Sequence, residues 1–121
     1  RSYALVILCP LTAETSGLIG AAELGKMPKH ALLINCARGG IVKDADLAEA
    51  VKKGSIAGAG VDVLSCEPPA GGNPLLALHQ ANLLITPHVA WASRQSLQAL
   101  GEQLIANLEA FVAGKARNVV T

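Results

Sequence analysis

The chain has 121 residues, of which 51% are apolar and 16% charged, and ten basic against nine acidic side chains give a formal net charge of +1. That apolar content excludes a disordered tail, and the balanced charge supplies no basic stripe for a phosphate backbone or an anionic membrane. Tyr3, Trp91 and Phe111 are its single Tyr, Trp and Phe, so the core is aliphatic and a stacking platform for single-stranded nucleic acid is excluded.

Four apolar runs are predicted strands: Tyr3 to Cys9, Ala31 to Asn35, Ile56 to Val63 and Asn82 to Thr86. Their starts lie about 25 residues apart, the repeat of a strand plus a crossover helix. Each run is nearly continuous, which predicts strands covered on both faces of a parallel sheet. Between them, Ala21 to Met27 reads as a short helix weakened by Gly25. Asp44 to Lys53 is a better one, with Asp44, Asp46 and Glu49 early, Lys52 and Lys53 late and Gly54 just past the end. Lys43 stands where a capping side chain is wanted, so this N-terminus is expected to be weaker by about 1 kcal/mol. Leu64 to Gln80 reads as a loop, broken by Pro68, Pro69, Gly71, Gly72 and Pro74. In the last helix, Ser93 to Ala113, the residues Leu97, Leu100, Leu104, Leu108 and Phe111 form one apolar stripe. Ser93 is its predicted N-cap and Gly114 its C′ residue, and its length is roughly 30 Å. The order predicts an open α/β sheet with right-handed crossovers.

Cys9, Cys36 and Cys66 are odd in number and lack zinc or thioredoxin spacing, which points to a reducing, cytoplasmic setting and no metal site. The longest apolar run, Ala4 to Cys9, is far too short to span a bilayer.

Ligands of an open parallel α/β sheet bind at the carboxyl ends of its strands. Cys9 closes the first predicted strand and Pro10 follows it, and Cys36, Ala37, Arg38, Gly39 and Gly40 follow the second. Asp62 ends the third, with Glu67 just beyond, and His88 follows the fourth. Arg38 is suited to gripping a carboxylate bidentately, His88 to passing a proton near neutrality, and Glu67 to fixing the tautomer of His88. Gly39 and Gly40 would let the backbone approach a ligand closely. Together they suit a small substrate bearing a carboxylate and an adjacent oxygen that gains or loses a proton. Taken singly, Arg38 also reads as a surface ion pair, His88 as a structural histidine, Asp62 as a turn cap and Glu67 as loop polarity. Gly58 and Gly60 read as close-packing glycines in a buried strand.

The stretches CPLTAETSGLIG (Cys9 to Gly20), ALLINCARGGIV (Ala31 to Val42), GAGVDVLSCEPP (Gly58 to Pro69) and NLLITPHVAWAS (Asn82 to Ser93) occur in this order and cover nearly the whole chain. In them the sequence resembles the D-isomer-specific 2-hydroxyacid dehydrogenases, in the C-terminal part of their doubly wound, Rossmann-like cofactor domain. TPHVAWAS followed by Arg94 is similar to the glycerate dehydrogenase/hydroxypyruvate reductase branch. The resemblance implies a catalytic trio in which Arg38 binds the carboxylate of a small 2-oxo acid, His88 gives its oxygen a proton, and Glu67 pairs with His88. It implies NAD or NADP as cofactor, with contacts at Cys9, Pro10, Cys36, Ala37, Arg38, Asp62, His88 and Ala90. The substrate would meet Arg38 and His88, and Trp91 either lines the same pocket or packs at a domain contact. The implied substrates are hydroxypyruvate, glyoxylate or a relative, and the implied parent protein is a homodimer. A dinucleotide-sensing, corepressor-like binding protein shares the same motifs. The implied division is a partial cofactor domain over residues 1–92 and an exit helix with its tail over 93–121. The phosphate-binding G-x-G-x-x-G turn and the acidic residue about 20 positions beyond it do not occur in the sequence. The chain is therefore expected to be a fragment without turnover of its own.

Overall fold

The computed structural model describes residues 2–120 and divides into two compact units after His88. In the first unit the elements are β1 (Ala4–Ile7), α1 (Ala21–Leu24), β2 (Leu32–Asn35), α2 (Asp44–Lys52), β3 (Gly58–Val61) and β4 (Leu83–Ile85). The strands form one parallel sheet in the order β1-β2-β3-β4. All four predicted strands and both helices predicted between them are present, each trimmed at one or both ends.

Strand order and chain order coincide, so right-handed crossovers carry every connection over the same face. Burial follows that geometry. The register aligns Leu5, Leu33, Ala59 and Leu83 in one row, and Ile7, Asn35, Val61 and Ile85 in the next. These rows pack with Leu24, Leu47, Val51 and Ile56 in the core. The opposite face carries the aligned row Val6, Ile34, Gly60 and Leu84, in which Val6 is 49% and Leu84 67% exposed. Within the described residues one face of the sheet is thus covered, and the other is open at its edge strands. A run that is apolar at every position carries no alternation to reveal this.

Local chemistry sets the ends of α2. Its N-cap, Lys43, has extended backbone but supplies no side-chain hydrogen bond, as its side-chain type dictates. The chain leaves α2 through Gly54 in the left-handed region at φ +64°, a C′ glycine. Gly58 is fixed by crowding, since a Cβ there would lie 2.5 Å from the carbonyl oxygen of Asn82. His30, exposed in the turn before β2, lies with its ring centroid 5.0 Å from that of Tyr3.

The second unit holds α3 (Arg94–Val112). Ser93 caps it, its Oγ accepting from Ser96 N–H at 3.1 Å. Gly114 ends it at φ +66°. The tail folds back on the helix, where Arg117 Nη2 donates to Gln103 Oε1 at 2.8 Å and Arg117 Nη1 to Asn107 Oδ1. The stripe of Leu97, Leu100, Leu104, Leu108 and Phe111 is exposed along the helix. Among the described residues no helix is long and apolar enough to cross a membrane.

Candidate active site

The loop after β2 is shaped by Asn35, the last residue of that strand and 2% exposed. Its Oδ1 accepts from Ala37 N–H and its Nδ2 donates to the Arg38 carbonyl, both at 3.1 Å. This is an Asx turn, which the sequence signals only as an Asn closing an apolar run. It presents Arg38 at the surface, with Nη1 donating to the Ala37 carbonyl at 2.7 Å. Cys9, Pro10, Cys36, Ala37 and Arg38 line one open hollow of ≈ 640 Å³, together with Leu8 and Leu11. Five of the predicted cofactor contacts therefore share one surface at the carboxyl edge of the sheet.

Asp62 directly follows β3 and is 3% exposed. Its Oδ1 accepts from the Thr86 hydroxyl, which ties the end of β3 to the end of β4. Its carbonyl accepts from His88 N–H at 2.9 Å, and the Thr86 carbonyl shares that donor at 3.0 Å. His88 adopts φ +56°, a left-handed conformation unusual for a side chain with a Cβ, and these two bonds hold it there.

Glu67 and His88 meet. His88 Nδ1 lies 2.7 Å from Glu67 Oε2, across 21 residues of sequence. The other carboxylate oxygen, Oε1, accepts from Leu64 N–H at 2.7 Å. The Leu64 N–H, and next the hydrogen bond from His88, hold the Glu67 carboxyl below the usual glutamate range, against the opposing influence of partial desolvation and a smaller one from Asp62. Folded Glu67 thus binds its proton more weakly than unfolded Glu67. Its contribution to stability is complete above the usual glutamate range and is lost as the pH falls through and below it. Urea midpoints measured against pH should show wild type losing ground to Glu67→Gln over that acidic window. Parallel curves for the two proteins would contradict this.

An apolar hollow of ≈ 480 Å³ adjoins the pair, lined by Glu67 and His88 with Leu64, Pro68, Leu76 and Ile85 among others. Gly39 is fixed by crowding within the fold. The Leu64 carbonyl packs on it so closely that a Cβ would lie 1.7 Å from that oxygen. Ala90 and Trp91 fall in the second unit, in a turn closed by Ala92 N–H donating to the Val89 carbonyl at 2.9 Å. Among the described residues no group of three or more His, Cys, Asp and Glu is placed to hold a metal.

A profile of the D-isomer specific 2-hydroxyacid dehydrogenase, NAD binding domain, matches residues 1–90. A glycerate dehydrogenase of Methylorubrum extorquens is 52% identical over 120 residues, covering 99% of this chain and 38% of that protein. A hydroxypyruvate reductase of Blautia hydrogenotrophica is 38% identical over 120 residues, 99% of this chain and 37% of its own length. The chain thus spans 38% and 37% of the length of these two relatives. Among solved structures, an NAD-complexed D-isomer specific 2-hydroxyacid dehydrogenase from Lactobacillus delbrueckii ssp. bulgaricus matches with a TM-score of 0.85 at 28% identity, over 99% of this chain and 40% of that one. An NADPH-dependent glyoxylate/hydroxypyruvate reductase from Sinorhizobium meliloti, in complex with NADP and sulfate, matches with a TM-score of 0.77 at 30% identity, over 100% of this chain and 39% of that one.

Proposed function

Because this chain belongs to the D-isomer specific 2-hydroxyacid dehydrogenase family, through its NAD binding domain, we propose that it carries the acid–base pair and the carboxylate-binding arginine of an NAD(P)-dependent enzyme acting on a small 2-oxo or D-2-hydroxy acid. The observation that carries the reading is the Glu67–His88 contact at 2.7 Å. A carboxylate on Nδ1 fixes the tautomer and orientation of the ring, and Nε2 is then the nitrogen that exchanges a proton with the substrate oxygen. Arg38 binds the substrate carboxylate and draws charge toward the neighbouring carbonyl.

The hollow lined by Cys9, Pro10, Cys36, Ala37 and Arg38 has the size and the strand-edge position that suit part of a dinucleotide. Asp62 and the backbone at His88 and Ala90 complete the proposed contacts. A nicotinamide dinucleotide held by these residues would supply or accept the hydride. In this reading residues 1–92 belong to the cofactor domain, 93–121 are its exit helix and tail, and Trp91 is a candidate substrate contact. The names of the relatives favour hydroxypyruvate or glyoxylate as the oxo acid.

The test is NADH or NADPH oxidation with hydroxypyruvate by the full-length protein that carries these residues. Arg38→Gln removes a bidentate, charge-assisted grip worth about 3 kcal/mol, so kcat/KM should fall about 100-fold. Turnover that is absent from wild type, or indifferent to Arg38, would refute the reading.

A further inference from the structure

We propose that Asp44 is a positioning residue for the Glu67–His88 pair, acting through the Leu64–Ser65 peptide that its side chain holds in place. This rests on the dehydrogenase reading and assigns a role to a residue that reading leaves unused.

Asp44 is the first residue of α2 and is 9% exposed. Burying a carboxyl to that degree is costly unless donors surround it. One of its oxygens, Oδ2, accepts three hydrogen bonds: from Ser65 N–H at 3.1 Å, Ser65 Oγ at 2.7 Å and Asn73 Nδ2 at 2.6 Å. All three donors come from the segment between β3 and β4, 21 and 29 residues away in sequence. The N-terminus of α2 favours negative charge at this point, so helix and loop stabilise the same group. Asn73 carries the tie onward, its Oδ1 accepting at 2.9 Å from the N–H of Leu75, which is fully buried.

The Leu64 carbonyl and the Ser65 N–H belong to one planar peptide. Gly39 packs against its oxygen, and Asp44 accepts from its hydrogen. With both edges of that plane fixed, the adjoining Leu64 N–H is held where it donates to Glu67 Oε1, and Glu67 Oε2 meets His88. Asp44 therefore sets the direction of the carboxylate that orients the histidine, without touching the histidine itself. The titratable groups beside Glu67 are His88 and Asp62.

The test compares Asp44→Ala and Asp44→Asn with wild type by two readouts. One is carbon-13 NMR titration of the Glu67 carboxyl, assigned with Glu67→Gln. The other is steady-state NADH oxidation with hydroxypyruvate. In Asp44→Ala the Glu67 midpoint should move up toward the usual glutamate range, and kcat should fall about 10- to 100-fold with KM for NADH unchanged. Asp44→Asn, whose side-chain oxygen can accept the same bonds, should restore both. Asn73→Ala should give a smaller movement in the same direction and replaces Asp44→Ala if that variant does not fold. A Glu67 midpoint unmoved in the folded variant overturns the proposal. If the midpoint responds to Asp44 while wild type shows no turnover, the dehydrogenase reading fails and the positioning role stands.

Discussion

Replacing His88 by Gln should lower turnover of a 2-oxo acid by about 10²- to 10⁴-fold, the usual worth of a positioned general acid–base group. Affinity for the reduced cofactor should stay close to that of wild type. The glutamine amide can still hydrogen-bond to Glu67, but it cannot give up and regain a proton near neutral pH. The backbone reason for expecting an intact fold is specific. His88 N–H donates to the Asp62 and Thr86 carbonyls, and neither bond involves the ring. The left-handed φ of +56° costs any residue with a Cβ about 1 kcal/mol, and Gln bears that much as His does. His88→Asn, which tolerates this conformation better, is the control for backbone strain. Steady-state NADH oxidation with hydroxypyruvate and fluorescence titration of NADH separate the two effects. A Gln variant with turnover within about threefold of wild type would remove His88 from the chemistry.

Most of the fold is legible because its signals are local. Runs spaced at the strand–helix repeat give the strands, Ser93 gives the cap of α3, and Gly54 and Gly114 give the two helix exits. The meeting of Glu67 with His88 is legible for another reason. From Lys53 to Arg94 the sequence has few charges, and the strand-end rule then gathers the few that remain onto one edge. What escapes is long-range. The covered face of the sheet cannot be chosen from runs apolar at every position. The bonds of Asp44 to Ser65 and Asn73 span 21 and 29 residues, and no motif encodes them. Asp44 reads along the sequence as a favourable first-turn acid, whereas the structure uses its oxygen to anchor a distant loop.

The role of Gly39 escapes in the same way, and it leads to the second large effect. Gly39→Ala should destabilise the protein by about 3 kcal/mol and lower turnover with it, because overpacking against backbone has no inexpensive relief. A Cβ at residue 39 would lie 1.7 Å from the Leu64 oxygen, 2.2 Å from the Leu64 carbonyl carbon and 2.8 Å from Ser65 N. None of these atoms is the end of a flexible side chain. The Leu64–Ser65 peptide must therefore shift by more than 1 Å, roughly the shortfall from ordinary van der Waals contact. That peptide is the one whose N–H reaches Asp44, and its neighbour donates to Glu67. The strain thus passes directly to the carboxylate that orients His88. Two nearby glycines separate this cause from others. Gly71→Ala meets nothing within 4 Å and should be near neutral. Gly40→Ala has Leu11 methyl groups no closer than 3.9 Å but a φ of +83°, so it should cost about 1–2 kcal/mol through backbone strain alone. Urea midpoints should order the three variants as Gly71→Ala, Gly40→Ala and Gly39→Ala, from most to least stable. Only Gly39→Ala should also move the Glu67 titration upward, and a Gly39→Ala protein matching Gly71→Ala in both measurements would show that the Leu64 peptide is free to move without consequence for the pair.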